Sequence, residues 1–432
     1  MTKEERRSEI KKIYEGKPVG TGSKLKYMGE TREFDIYKVP LELLIYNVDN
    51  GRISSLVKSY TRETGPIDAE TEEGSKIISK FLYDSAKERN DKTLKDIAEN
   101  GQLEPGIITM DGVIVDGNRR FSLLSSIHYD STNKYTQSLK DACGYFLTRI
   151  LPEDANEREI LRLETTYQMG ADSKVDYNAI EKYLHARDLK NKGFGTADIA
   201  SYMAIKQTEV QKYLDVITLM DEYLEFFDYS GIYTRLPRGC EDDFLKLHDT
   251  LKKVKQGTSY SWIVPDEREE IEIQLKSICF KFIRLDKKAS EGVDYRYISA
   301  YANGNNFLAN RQVWNAFIEK CSESDEVEEK STQDVLDSAA PGADKTRLLK
   351  KRDDDWRKKV TSTLTDAFTD AQNVIESKKE KDKPLSLLKK AIAALDNIET
   401  ANVTEKTQVE FMTKLSELKE ITNKIEQSLS SE

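Results

Sequence analysis

The stretch at 101–127, GQLEPGIITMDGVIVDGNRRFSLLSSI, constrains the fold of this chain more than any other. Ile107-Ile108-Thr109 and Val113-Ile114-Val115 are β-branched and short enough for strands, and Met110-Asp111-Gly112 between them carries the Asp-Gly of a tight hairpin. Asp116-Gly117-Asn118 then breaks the pairing. Arg119 and Arg120 follow at the mouth of a helix predicted over 120–127, whose apolar residues recur at helical spacing. Two guanidiniums beside the backbone N–H groups of a helix start make an anion seat. The plainer reading is an ordinary turn flanked by solvated arginines.

Other features stand upstream in a definite order. Val39-Pro40-Leu41-Glu42-Leu43-Leu44 reads as an opening strand, Asn47 and Gly51-Arg52 as the turn after it, and Leu94 to Gly101 as a helix that Thr93 caps. Pro105 turns the chain into the central stretch. In this order, over residues 34–220, the sequence resembles the N-terminal region of the ParB and sulfiredoxin superfamily. That resemblance implies an α+β N-terminal domain followed by all-α domains. It also implies a phosphate-holding turn built from Gly117, Asn118, Arg119 and Arg120, and a nucleotide triphosphate, CTP or ATP, with Mg2+. In ParB-like proteins a later Glu-Asn-x-Gln-Arg segment supplies a Glu that assists a metal-bound triphosphate. Here LETTYQMG matches with Glu164, while Thr165 takes the place of the Asn and Gln168 is the remnant of the Gln-Arg pair. The resemblance thus makes Glu164 the metal ligand. Sulfiredoxins place their catalytic Cys one residue after the turn Gly, where this chain has Asn118, so a sulfinic-acid reductase is excluded for want of a thiolate.

At 432 residues the chain suits about two to four domains. Hydrophobic residues make up 38% and charged residues 33%, which predicts a polar protein with a modest core. No run reaches the roughly 20 apolar residues of a membrane helix, and MTKEERRSEIKKIYEG has no signal-peptide core, so a cytoplasmic product without a membrane partner is expected. Cys143, Cys240, Cys279 and Cys321 are scattered without a CxxC, which speaks against structural zinc and a disulfide framework. The net charge of −10 argues against indiscriminate coating of nucleic acid but leaves room for a local reading head.

Residues 1–33 read as an N-terminal arm with a helix at 3–14, and 34–170 as the α+β domain, including a helix at about 75–87 and a buried strand at 145–151. Over 171–228 a helical domain follows, in which Asp176 caps a helix to Lys190, Thr196 caps the next, and Ala204-Ile205-Lys206 turns into a third. Ile199, Ala200, Val210 and Leu214 are placed to pack together in a helix-turn-helix. Its second helix would present Lys206, Gln207, Thr208, Gln211 and Lys212 to DNA. Residues 176–220 balance six acidic against six basic side chains, so a packing module without DNA contact is the competing reading.

Residues 229–320 read as a further helical domain whose aromatics, among them Tyr295, Tyr297, Tyr301, Phe307, Trp314 and Phe317, form either a core or a stacking platform for bases. The acidic, Ser- and Gly-containing span 321–345 predicts a flexible linker. Beyond it, 346–432 predicts a helical tail divided at Pro384, with Leu415, Leu418, Ile421, Ile425 and Leu429 forming a stripe for a helical hairpin or for pairing with a second copy.

These observations lead first to a nucleotide-responsive DNA-binding protein that assembles as a homodimer or higher oligomer. A nuclease or NTPase of a mobile-element, plasmid or phage-defence system is the alternative, with Asp116 and Glu164 as catalytic carboxylates. A third possibility is a scaffold that keeps the fold without ligand or catalysis.

Overall fold

A strand that composition alone obscures opens the sheet of the protein. The computed structural model describes residues 1–169, 178–289, 292–300, 306–340, 342–399 and 403–430. Helix α1 (Lys3–Tyr14) starts with a reciprocal capping box between Thr2 and Glu5. Strand β1 (Gly20–Tyr27), within the span expected to be an arm, pairs antiparallel with β2 (Glu30–Pro40). Leu25 and Tyr27 of β1 are buried on one face while their neighbours are exposed. The opening strand ends at Pro40, which cannot donate to a ladder, and Leu41–Leu43 form a single 3-10 turn that buries Leu41 and Leu43.

Helices α2 (Ser54–Thr64), α3 (Glu72–Asp84) and α4 (Lys87–Asn100) come next. α4 begins well before the expected cap at Thr93, whose hydroxyl donates back to Arg89 O at 2.9 Å inside the helix. It stops at Gly101, with φ 74°, as the Asn-Gly signal predicts. The central hairpin is β3 (Gly106–Ile108) with β4 (Ile114–Asp116), leading into α5 (Asn118–His128). After α6 (Gln137–Ala142), strand β5 (Tyr145–Ile150) inserts between β2, antiparallel, and β3, parallel. The result is a five-stranded mixed sheet in the order β1-β2-β5-β3-β4. One face buries Val39, Ile108, Ile114 and Phe146 against the helices, and the other packs Leu25, Tyr27, Ile107 and Val115 under α7 (Glu157–Met169).

The rest of the chain is helical, as expected for an α+β domain followed by all-α structure. α8 (Ala179–Asn191) is capped by Asn178, the expected Asp176 cap lying outside the described residues. α9 (Thr196–Met203) and α10 (Gln207–Phe226) are joined by a turn in which Ala204 is left-handed, with φ 55°. Ile199, Ala200 and Val210 pack in one core with Leu214 against it. α11 (Glu241–Gln256), α12 (Arg268–Ala289), the short α13 (Arg296–Ser299) and α14 (Arg311–Ser322) follow. Phe307, Trp314 and Phe317 are buried among one another and Phe368, so these aromatics form a core and no stacking platform. Tyr301 lies outside the described residues.

The span expected as a linker carries α15 (Thr332–Asp337) and is tied down at the start of that helix and just before it. Thr332 N–H donates to Asp228 at 2.6 Å, and Glu329 receives both Nη groups of the buried Arg284 at 2.7 Å. Its acidic composition therefore serves buried cations, a role that composition cannot distinguish from solvation. α16 (Lys345–Asp396) runs through Pro384, which was expected to divide it, forfeiting one backbone bond there. α17 (Glu405–Ser430) ends the described chain. Residues Met1–Thr369 form one compact unit and Asp370–Glu432 a second. In the second, Leu385, Leu388, Ile392, Ile421, Ile425 and Leu429 are exposed. No helix among the described residues is long and apolar enough to cross a membrane.

Candidate functional site

The turn between β4 and α5 is built on a single glycine. Gly117 is the N-cap of α5 in the left-handed region, with φ 106°, and no side chain caps the first turn of the helix. A Cβ on Gly117 would also lie 2.6 Å from Phe146 Cζ, so the backbone passes where only glycine fits. The first N–H groups of α5, at the positive end of its helix dipole, begin at this turn.

The expected site residues around this turn divide into two groups. Arg120 folds back over the turn: Nη2 pairs with Asp116 at 2.8 Å and Nη1 donates to Glu104 O. Asn118 and Arg119 turn away. The Asn118 side chain, 2% exposed, accepts the Asn47 N–H at 3.0 Å and donates to Ile114 O at 3.1 Å. Arg119 Nε donates to Asn90 Oδ1 at 2.7 Å, and the Asn90 amide in turn holds Leu82 O and Tyr83 O at the corner between α3 and α4. These two side chains hold the fold together beneath the turn.

Glu164 is linked to the turn through Asn47, whose backbone N–H Asn118 accepts. It is buried on α7, where the Asn47 side chain and the Gly51 backbone N–H donate to it. Burial pushes its carboxyl up to about 8, against those two hydrogen bonds, so at neutral pH it is held largely protonated. A divalent cation needs several oxygen ligands, whereas the hydrogen bonds to Glu164 come from N–H donors, Lys192 adds a cation, and the carboxylate acting on Glu164 is that of Asp49. The residues at Glu164 therefore do not fit Mg2+, and among the described residues no group of three His, Cys, Asp or Glu comes together to hold a metal. Asp116 pairs with Arg120, whereas Glu164 is held by Asn47 and Gly51, so the two carboxylates expected to act jointly are engaged by different partners. Gln168 takes no part in this picture, its side chain lying outside what is described.

Around the 47–55 segment the structure assembles residues that sequence reading missed. Glu181 of α8 accepts both Ser55 N–H, at 3.1 Å to Oε2, and the Ser55 hydroxyl, capping the otherwise uncapped start of α2. Burial raises Glu181 to about 7. His185 Nε2 meets Thr165 Oγ1 at 2.8 Å. Since that hydroxyl donates to Leu161 O, the Nε2 carries the proton. Burial lowers this imidazole to about 4, so it is neutral. Gly51 packs against it closely enough that a Cβ would fall 2.9 Å from His185 Nδ1.

A second omission is Arg149 of β5. In the strand Tyr145–Ile150 it is the cation on the face alternate to Phe146, Thr148 and Ile150, all buried. Its Nε donates to Ser23 Oγ at 2.7 Å, and burial pulls its guanidinium below the usual value in the company of Tyr167, Asp116, Arg120 and Glu104. An arginine inside an otherwise apolar strand was the available signal.

On the helix-turn-helix, Lys206, Gln207, Thr208 and Gln211 are exposed at the start of α10. Lys212 is engaged by Asp249 of α11 at 3.2 Å, and Gln211 Nε2 donates to Asp215 at 2.8 Å.

No family model and no curated protein matches the chain. Among solved structures, the C-terminally truncated chromosome-partitioning protein ParB from Caulobacter crescentus, complexed with CTP-gamma-S, is similar at 16% identity and a TM-score of 0.17, over 50% of this chain and 92% of its own. A similarity of that size transfers no residue role to this chain.

Proposed function

We propose that the protein is a ParB-like, nucleotide-responsive protein in which the Gly117 turn and Arg120 receive the phosphates of a nucleotide. The observation that carries this reading is the start of α5: a left-handed Gly117 with no side-chain cap and Arg120 folded over it. The exposed polar residues at the start of α10 would contact DNA, and the exposed apolar residues of 385–429 would join copies of the chain. The nucleotide acts as a switch in this reading, and no metal-dependent step is assigned to Glu164.

A second reading, a scaffold that keeps the fold without ligand, is favoured by a specific observation. Asn118 and Arg119, half of the expected phosphate turn, are spent on Asn47, Ile114 and Asn90.

Thermal-shift measurements on the wild type and Arg120→Ala against CTP, ATP, GTP and UTP, with and without magnesium, separate the two. A rise in midpoint with one nucleotide, lost in Arg120→Ala, supports the switch. No rise with any nucleotide at millimolar concentration rejects it in favour of the scaffold.

A further inference from the structure

The register of the sheet places a second cation beside the Gly117 turn. Ile107 of β3 pairs with Asp116 of β4 on one side and with Arg149 of β5 on the other. Directly paired residues project to the same face of a sheet, so Asp116 and Arg149 flank Ile107 on one side of it. Arg149 is within electrostatic range of Asp116, Arg120, Glu104 and Tyr167, and its Nε–H is fixed on Ser23 Oγ at 2.7 Å. β1, β5, the β4–α5 turn and α7 thus each contribute a polar side chain to one place. Arg119 does not join them, because Asn90 on the opposite side of α5 holds it at 2.7 Å.

Two guanidiniums that share an environment repel each other unless an anion sits with them. Asp116 is that anion, with its Oδ2 2.8 Å from Arg120 Nη2. Glu104 adds a second, exposed carboxylate within electrostatic range, so the group is close to neutral at rest, and Asp116 occupies the place a ligand oxygen would take. A ligand must therefore offer more negative charge than a single carboxylate to displace it, which a chain of two or three phosphates does and a single carboxylate does not.

We propose that the anion seat rests on Arg120 and Arg149, with Asp116 as a resident counter-anion that a di- or triphosphate displaces. This rests on the nucleotide reading above and specifies the chemistry of the same site: the polyphosphate group is what it recognises. Asp116 is a gate on affinity in this arrangement and no general base.

The test is calorimetric titration of the full chain, without magnesium, with CTP and separately with inorganic tripolyphosphate. Circular dichroism establishes that each variant is folded. Arg149→Gln is expected to weaken both ligands roughly ten- to hundredfold, as losing a charge-assisted contact does, and Arg149→Lys to recover part of that. Arg119→Gln is expected to stay within about twofold of wild type, and Asp116→Asn to tighten both ligands several-fold, because the competing charge is gone. Equal losses for the two ligands mean that the phosphate chain alone is read. A loss seen only with CTP overturns the assignment of Arg149 to the phosphate chain, since tripolyphosphate would then bind without it. Wild-type affinity in Arg149→Gln, or weaker binding in Asp116→Asn, overturns this assignment while leaving the nucleotide reading intact. A wild type that takes up neither ligand overturns both.

Discussion

Asn118 Oδ1 accepts the backbone N–H of Asn47 at 3.0 Å, joining the turn that starts α5 to the segment that leads into α2. The same amide donates to Ile114 O at 3.1 Å, so both ends of a buried side chain are satisfied. Asn118→Ala strands one donor and one acceptor and is expected to lower stability by about 1–3 kcal/mol. Asn118→Asp keeps the acceptor for Asn47 but sets an oxygen against Ile114 O, and is expected to fall in the same range. Urea unfolding measures both. A loss below about 0.5 kcal/mol in Asn118→Ala is what a surface position gives and would remove the Asn47 link from the account.

Gly117 is constrained twice, by its φ of 106° and by Phe146 Cζ at 2.6 Å from the position a Cβ would take. Gly117→Ala is expected to cost more than about 1 kcal/mol, the usual effect of the left-handed conformation alone. Pairing it with Phe146→Leu separates the two causes. If the clash contributes, the double variant is less destabilised than the sum of the two single ones, and strict additivity assigns the whole cost to the backbone.

The buried carboxyl of Glu164 ties stability to pH with a definite sign. Its folded-state value of about 8 lies above its ordinary 4.5, so between those limits the folded chain holds a proton that the unfolded chain has lost. That contribution is complete below about pH 4.5 and is lost as pH rises through about 8. Glu164→Gln keeps the shape without the titration. Relative to this variant the wild type is expected to lose stability steadily from pH 5 to pH 9, by up to a few kcal/mol at the upper end. Parallel stability profiles for the two proteins over that range would show that Glu164 is charged in the folded state. Glu181, raised to about 7, bends both profiles alike and cancels in the comparison.

The central stretch was legible because its signals are local: β-branched triplets, an Asp-Gly turn and a Gly before a helical stripe all act within a few residues. β3, β4, the Gly117 turn and α5 follow from them. Strand β1 was not legible, since only Leu25 and Tyr27 of its eight residues are buried and its ladder with β2 supplies the rest. The site was legible in its backbone and misleading in its side chains. Arg119 and Arg120 are adjacent, so on a helix they point about 100° apart, and no local rule says which one meets the turn. Glu164 matches a motif by position, yet its surroundings come from Asn47 and Gly51, more than a hundred residues earlier. Arg149 depends on strand order, which puts β5 beside β3 across the sheet. The linker-like span 321–345 failed for a related reason: the buried cation its acids serve, Arg284, belongs to α12.

That cation gives a further prediction. Arg284, 1% exposed, bonds Glu329 with both Nη groups at 2.7 Å and Asp353 with Nε at 2.9 Å, while Tyr229 also donates to Asp353 at 2.7 Å. Arg284→Met removes the cation the two carboxylates share, leaving Asp353 to Arg235 at 3.6 Å and Glu329 to Arg352 at 3.5 Å, and is expected to cost about 3 kcal/mol, the lower end for a broken buried pair. It should also expose 321–340 to protease, with the wild type cleaved there more slowly than the variant. Equal cleavage rates in the two proteins would mean that the Glu329 contact does not hold this span in place.

The two lysines of the helix-turn-helix make unequal offers to a nucleic acid. Lys206 is exposed just before α10, whereas Lys212, one and a half turns along, is paired with Asp249 at 3.2 Å. A phosphate meeting Lys212 must compete with a carboxylate already in place, and one meeting Lys206 need not. Anisotropy titrations on a mixed-sequence duplex across a salt series measure the difference. Lys206→Ala is expected to weaken binding and to reduce the slope of log affinity against log salt by about one, the signature of a lost phosphate contact. Lys212→Ala is expected to change neither, and Asp249→Asn to strengthen binding by releasing Lys212. If Lys212→Ala costs as much as Lys206→Ala, the Asp249 pair breaks on binding and the DNA-facing surface extends further along α10. If the wild type shows no binding at low salt, these helices serve as a packing module, which their balanced charge also permits.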